Sequence, residues 1–158
     1  MKDTTSQAGI NRRSFLQSSA AVSASLAFSP YIFTQAASAA SSSDDLNVAL
    51  LGAGAQGQAL LNACKDIPGI RFKAVCDIWE AYNLKRTSRI LQSQGHELKS
   101  YVDYQEMLAD QKDLDAVIIA TPDFWHSPHT CACLEAGLHV YCEKEMSNTI
   151  EGAKKMVD

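Results

Sequence analysis

The first residues able to do chemistry are Gly52-Ala53-Gly54-Ala55-Gln56-Gly57, a GxGxxG. They follow a short apolar run and open a segment with helical spacing, the setting in which such a turn holds a phosphate. Gly52 permits the tight turn, Gly54 lets backbone approach a diphosphate, and Gly57 lets helix and strand pack closely. The helix N-terminus, from Ala55 and Gln56 onward, adds free N–H groups and a partial positive charge. An ordinary glycine-rich turn would show the same letters, so a second signal is needed. Asp77 supplies it. It ends the next apolar run roughly 20 residues on, where a carboxylate accepts hydrogen bonds from the adenosine ribose hydroxyls. A 2′-phosphate would be repelled there, which favours NAD over NADP. Asp77-Ile78-Trp79-Glu80 also fits a capping box for the following helix, and the two roles are compatible. Arg86 and Arg89, a turn or more into that helix, read as solvated.

These residues need a frame, and the apolar pattern provides one. Leu46 to Leu51, Ile70 to Cys76, Leu98 to Val102, Leu114 to Ala120 and Leu138 to Cys142 read as strands. Helical segments separate them: Ala55 to Asp66, Ile78 to Gln94, a short one opened by Asp103-Tyr104-Gln105-Glu106, and one opened by Pro128 and closed by Gly137. Asn148-Thr149-Ile150-Glu151 caps a last helix, in which the chain stops. Strict alternation implies an α/β fold, a doubly wound parallel sheet with helices on both faces. Leu114 to Ala120, the most apolar run, is expected to be buried on both faces. Doubly wound dinucleotide domains of the commonest order have six strands; with only five here, the chain is expected to be part of a longer one.

Two further motifs fall at strand ends. Ala120-Thr121-Pro122-Asp123-Phe124-Trp125-His126 follows the fourth strand, and Glu143-Lys144 follows the fifth. With the glycines, they resemble the Gfo/Idh/MocA family of oxidoreductases, across Leu46 to Asp158. The resemblance implies an N-terminal Rossmann domain completed by a C-terminal α/β domain that holds substrate. It implies that Thr121, Pro122, Trp125 and His126 border the nicotinamide and its ribose. It also implies that Glu143 and Lys144 reach the cofactor and the reacting carbon. A partly desolvated Lys144 would serve in acid–base chemistry; a surface lysine paired with Glu143 or Glu145 is the plain alternative. The family usually reads Glu-Lys-Pro at this turn. Here Glu145 replaces the proline, so a proline-supplied cis bond is not expected. Phe124 and Trp125 suit either a nicotinamide pocket or packing.

Ahead of this domain, Asn11-Arg12-Arg13-Ser14-Phe15-Leu16-Gln17 resembles a twin-arginine export signal. An Ala- and Ser-rich apolar stretch and Ala37-Ser38-Ala39, a small-x-small cleavage site, follow it. Residues 1–39 are therefore expected to be a signal peptide for the twin-arginine translocase, 40–45 a polar linker, and 46–158 the NAD-binding domain. The protein is expected outside the cytoplasm. The net charge of −4, without a Lys/Arg cluster, argues against a nucleic-acid partner. Five cysteines without regular spacing are no disulfide framework and read as small apolar residues. His126, His129, Cys131 and Cys133 invite a metal site, but no second element brings zinc-type spacing, so none is expected.

Three functions fit. The first is hydride transfer between NAD and a carbinol carbon of a sugar or cyclitol, with Lys144 assisting the proton. The second is a glycosidase that retains and recycles NAD, an exception to two-carboxylate hydrolysis. The third is dinucleotide binding without catalysis. A sugar-like small molecule is the expected ligand of the full-length protein, which is expected to be a homo-oligomer.

Overall fold

The computed structural model describes residues 45–158; the expected signal peptide (residues 1–39) and residues 40–44 of the expected linker lie outside the described residues. The elements run β1 (Leu46–Leu51), α1 (Ala55–Cys64), β2 (Ile70–Cys76), a π-helical turn (Glu80–Leu84), α2 (Lys85–Ser93), β3 (Lys99–Tyr101), α3 (Tyr104–Asp110), β4 (Ala116–Ile119), α4 (Asp123–Glu135), β5 (His139–Cys142) and α5 (Ile150–Lys155). The five strands form one sheet in the order β3-β2-β1-β4-β5, and every pairing is parallel. This is the doubly wound α/β arrangement that the alternation predicts. After β3 the chain crosses to the far side of β1, which puts the topological switch point between β1 and β4. Ligands of such sheets bind at that point, outside the carboxyl ends of the strands.

β1 shows why the sheet is covered on both faces. Its alternate residues divide between two cores. Ala49 and Leu51 join Met107 of α3 and Cys133 of α4 on one face. Val48 and Leu50 join Leu61 of α1 and Leu91 of α2 on the other. A parallel strand with a helix on each side has no wet face, so it reads as a continuous apolar run. Each fully buried leucine of this kind contributes about 1.5–3 kcal/mol. The most apolar run of the sequence, at β4, has both faces covered as expected: Val117 and Ile119 join the first core, and Ala116 and Ile118 pack against the second. β4 alternates buried with half-buried residues, whereas the last four residues of β1 are all buried. Position decides this: β1 is the central strand.

The helix after β4 begins at Asp123, not at Pro128. Pro122 occupies the N-cap, and Pro128 lies inside the helix. Its missing N–H forgoes the bond to the Phe124 carbonyl, a defect worth about 3 kcal/mol in a helix interior. Burial of His126, Ser127, His129, Thr130 and Cys133 along the same helix opposes that loss. Asp103 caps α3, its Oδ1 accepting the Gln105 N–H at 2.6 Å. Thr149 caps α5 through the Gly152 N–H at 3.0 Å, and α5 closes at Lys155, before the chain end. The five cysteines are free. Cys76 and Cys133 are buried, and burial pushes both thiols up to about 12. Among the described residues, no helix is long and apolar enough to cross a membrane.

Candidate cofactor site

β1 delivers the chain to Gly52 at the carboxyl edge of the sheet. Gly52 has φ +94°, and a Cβ there would stand 2.7 Å from the Ala120 carbonyl and the Thr121 nitrogen. The bare residue therefore serves both the turn and the close approach of the β4 end. A Cβ on Gly57 would overlap the Gly52 carbonyl oxygen, so this glycine lets α1 press onto the turn. Gly54 is different. Its φ of −68° and ψ of −166° suit any residue. The nearest atom to a Cβ there is Asn83 Nδ2 at 3.9 Å. No fold contact explains its lack of a side chain; open space above it does. Gly54 caps α1 without a side-chain hydrogen bond, and the first turn holds no acidic residue. The early N–H groups, including those of Ala55 and Gln56, keep their donor capacity for an anion.

Asp77 ends β2 and faces this turn. Its Oδ2 accepts the Ala53 N–H at 2.7 Å, and its Oδ1 accepts the Trp79 N–H at 2.8 Å. The Asn83 amide stands 3.3 and 3.5 Å from the two oxygens. A carboxylate has about four lone-pair sites, so capacity for ligand hydroxyls remains after the backbone donors are served. The expected helical capping box does not form. The chain instead makes a π-helical turn whose N-cap is Trp79, without a side-chain cap. The Leu84 N–H reaches back to the Trp79 carbonyl at 3.2 Å. This wider turn buries Leu84 while keeping Asn83 against Asp77; such turns concentrate at functional sites.

A cavity of about 710 Å³ opens over these groups, within the usual range for small-molecule sites. Gly52, Gly54, Ala55, Gln56 and Asp77 line it, together with Val102, Tyr104, Thr121, Pro122, Trp125 and His129. His126 does not line it, which corrects its expected cofactor contact. His126 is only 1% exposed. Its Nδ1 lies 2.5 Å from the Glu145 carbonyl oxygen and its Nε2 2.8 Å from that of Thr121. The buried ring, set between these two carbonyl oxygens, ties the turn after β4 to the loop after β5. One helical turn further on, His129 takes the cavity position. The three-residue step from His126 to His129 turns the ring to a neighbouring part of the helix face.

Glu143 and Lys144 follow β5 and lie outside the cavity lining. Lys144 is exposed, so the expected partial desolvation is not supplied by these residues. Nor does Lys144 pair with Glu143 or Glu145: the ion pairs among the described residues are Arg71–Asp45, Lys73–Asp113 and Lys99–Asp110. The Lys144–Glu145 peptide is cis although no proline is present, which corrects the expectation drawn from Glu145. The His126 ring holds the Glu145 carbonyl in that loop. Among the described residues, no group of three or more His, Cys, Asp or Glu is placed to hold a metal.

A model of oxidoreductases with an NAD-binding Rossmann fold, Gfo/Idh/MocA, matches residues 46–158. The chain belongs to the Gfo/Idh/MocA family. It is an NAD-binding oxidoreductase domain. It is similar to glycosyl hydrolase family 109 protein 2 of Shewanella sp. (strain ANA-3), 30% identical over 169 residues, covering 95% of this chain and 37% of that protein. It is also similar to the alpha-N-acetylgalactosaminidase of Shewanella oneidensis, at 26% identity over 94% of this chain and 36% of that protein. The chain thus spans little more than a third of the length of these curated relatives. Among solved structures it resembles the WlbA dehydrogenase of Chromobacterium violaceum in complex with NADH and UDP-GlcNAcA, with TM-score 0.62 and 31% identity, covering 72% of this chain and 31% of that one. The myo-inositol dehydrogenase of Lactobacillus casei, in complex with NAD(H) and myo-inositol, gives TM-score 0.61 and 26% identity over 72% of this chain and 32% of that one.

The residues present fit NAD, and the test lies in Gly54. A position with unstrained backbone and an unfilled Cβ volume, at an uncapped helix N-terminus, suits a ligand diphosphate. Asp77, pinned by Ala53 of the same turn, suits the adjoining ribose.

Proposed function

We propose that this chain supplies the cofactor half of an enzyme that moves a hydride between NAD and a carbinol carbon of a sugar or cyclitol. The observation that carries it is convergence on one sheet edge. The glycine turn, Asp77, the Thr121 turn and Lys144 all follow carboxyl ends of parallel strands around a single switch point. Bound NAD supplies the hydride acceptor or donor. The N–H groups from Gly54 to Gly57 hold the diphosphate, and Gly52 sets the turn. Asp77 grips the adenosine ribose and excludes a 2′-phosphate. Thr121, Pro122 and Trp125 wall the cavity. Lys144, with Glu143 beside it, moves the proton of the reacting hydroxyl at Nζ. Substrate ligands come from chain beyond this domain, and the working protein is a homo-oligomer. The ligands of the two dehydrogenase structures, a sugar nucleotide and a cyclitol, support the substrate class.

A second reading has its own observation. The curated relatives carry glycosyl hydrolase names, and one is an alpha-N-acetylgalactosaminidase. In that case NAD stays bound and returns to its starting state within each cycle. Nicotinamide absorbance and aryl-glycoside release, followed on the NAD-loaded full-length protein with a panel of sugars, cyclitols and aryl glycosides, decide between them. Net absorbance change with a free sugar or cyclitol is the expected result. Aglycone release without net absorbance change would replace it with the glycosidase reading. Silence in both assays, despite tight NAD binding, would sink both.

The protein is exported by the twin-arginine translocase. Arg12-Arg13, the apolar stretch and Ala37-Ser38-Ala39 support this. Changing Arg12 and Arg13 both to Lys is expected to keep the protein in the cytoplasm in a fractionation blot; undiminished export would contradict it.

A further inference from the structure

His129 was not assigned a role in cofactor binding by the motif. It is 7% exposed and lines the cavity. Three neighbours fix its ring. Nδ1 lies 3.1 Å from Thr121 Oγ1. The indole of Trp125 stacks on it at 5.0 Å with an interplanar angle of 11°. Tyr104 meets it edge-on at 4.6 Å. Nε2 finds no partner among the described residues, yet it is not sealed in. The only fully buried side-chain nitrogen or oxygen without a partner among those residues is Thr130 Oγ1. Nε2 is therefore left accessible and unpartnered in a residue that lines the cavity. Burial, then the neighbouring His126, pushes His129 down to about 4, so the ring is neutral near pH 7. A neutral ring bonded through Nδ1 to a hydroxyl offers one directed polar group at Nε2.

The position tells which half of the dinucleotide it meets. The cavity runs from the glycine turn past Asp77 to Val102 and Tyr104, at the ends of β1, β2 and β3. Glu143 and Lys144, at the end of β5, are not part of it. The adenosine half lies with Asp77, so the nicotinamide half extends toward β5. Around His129 the wall is aromatic, made by Tyr104 and Trp125, which suits a planar base and moves Trp125 from its expected place beside the nicotinamide to the adenosine half. Asp77 already takes the ribose hydroxyls, so the polar group of His129 is left for the base.

We propose that His129 is a specificity-determining residue of the cofactor site, hydrogen-bonding the purine edge of adenosine through Nε2. The assignment rests on the reading that Asp77 holds the adenosine ribose. Calorimetry on the full chain with NAD, AMP and nicotinamide mononucleotide tests it. His129→Phe keeps the stacking ring but removes the polar atom, and His129→Gln restores a polar group that can donate or accept. The expected result is a roughly tenfold loss of AMP and NAD affinity in His129→Phe, the size of one hydrogen bond. Partial recovery in His129→Gln, and unchanged mononucleotide binding, complete the pattern; the latter also shows that the variant is folded. Asp77→Ala serves as the reference and is expected to weaken AMP in the same way. If Asp77→Ala loses AMP and His129→Phe does not, the His129 assignment is overturned and the ribose reading stands. If His129→Phe weakens the mononucleotide instead of AMP, the assignment to adenosine is overturned.

Discussion

Gly54→Val is expected to leave the domain folded and to weaken NAD binding by about 100-fold or more, while Gly57→Ala is expected to damage the fold itself. The two glycines are three residues apart in one motif, but their surroundings differ. At Gly54 the backbone lies in a region open to any residue, and an added Cβ meets nothing closer than 3.9 Å. A valine there stands in the space reserved for ligand and keeps a diphosphate off the N-terminus of α1. Losing two or more charge-assisted hydrogen bonds, each worth about 1.5–3 kcal/mol, accounts for a loss of that size. At Gly57 even one methyl group overlaps the Gly52 carbonyl oxygen. That atom is backbone and cannot swing aside, so α1 must move from β1. Overpacking of this kind costs about 1–3 kcal/mol. Thermal melts and NAD calorimetry on both variants check the contrast. A Gly54→Val chain that binds NAD like the parent would remove the diphosphate from this turn.

The elements that the sequence announced are those whose cause is local. β1 is visible because both faces of a central strand are apolar, β2 because its residues alternate, and the GxGxxG because its turn needs glycine. Asp103 and the run Asn148 to Glu151 are visible as caps because their side chains can serve free helix N–H groups, with Thr149 the residue of that run that does so. What stayed hidden depends on distant partners. His126 has the motif position of a cofactor neighbour, but its ring is buried between the carbonyl oxygens of Thr121 and Glu145. Nothing near it in sequence predicts Glu145, 19 residues on. His129 could have been found from helical spacing alone: once a helix is started at Asp123, it follows Trp125 by one turn. Starting that helix at Pro128 concealed the relation. The π-helical turn after Asp77 was equally out of reach, because local letters fit a capping box and only the burial of Leu84 beside Asn83 selects the wider turn. Within the candidate site, the cavity positions of Gly52, Gly54, Asp77, Thr121, Pro122 and Trp125 were legible, and that of His129 was not.

Lys144→Ala is expected to lower turnover by about 10²- to 10⁴-fold, the range for removing a general acid or base, while NAD affinity changes less than about twofold. The separation follows from where the side chain sits. Lys144 is exposed beyond the end of β5 and outside the cavity that holds Asp77 and the glycine turn. Its neighbour Glu143 is engaged elsewhere: it accepts the Tyr141 hydroxyl at 3.3 Å and the Lys144 N–H at 3.4 Å. The Glu143 carboxylate pushes the Tyr141 phenol upward, so that hydroxyl remains protonated and able to donate. With Glu143 held by those donors, the Lys144 ammonium carries no ion pair among the described residues and is free to meet a hydroxyl at the reacting carbon. A merely structural surface lysine would behave differently: its loss would leave kcat intact. Steady-state kinetics on full-length Lys144→Ala and Lys144→Arg, with whichever sugar or glycoside the parent turns over, provides the check. Arginine keeps the charge but holds its proton too firmly for transfer, so it is expected to rescue little. Full activity in the alanine variant would move the proton step to another residue, and full rescue by arginine would reduce Lys144 to an electrostatic contact. Because the hydroxyl must lose its proton in both the dehydrogenase and the glycosidase reading, the variant is expected to silence whichever activity is found.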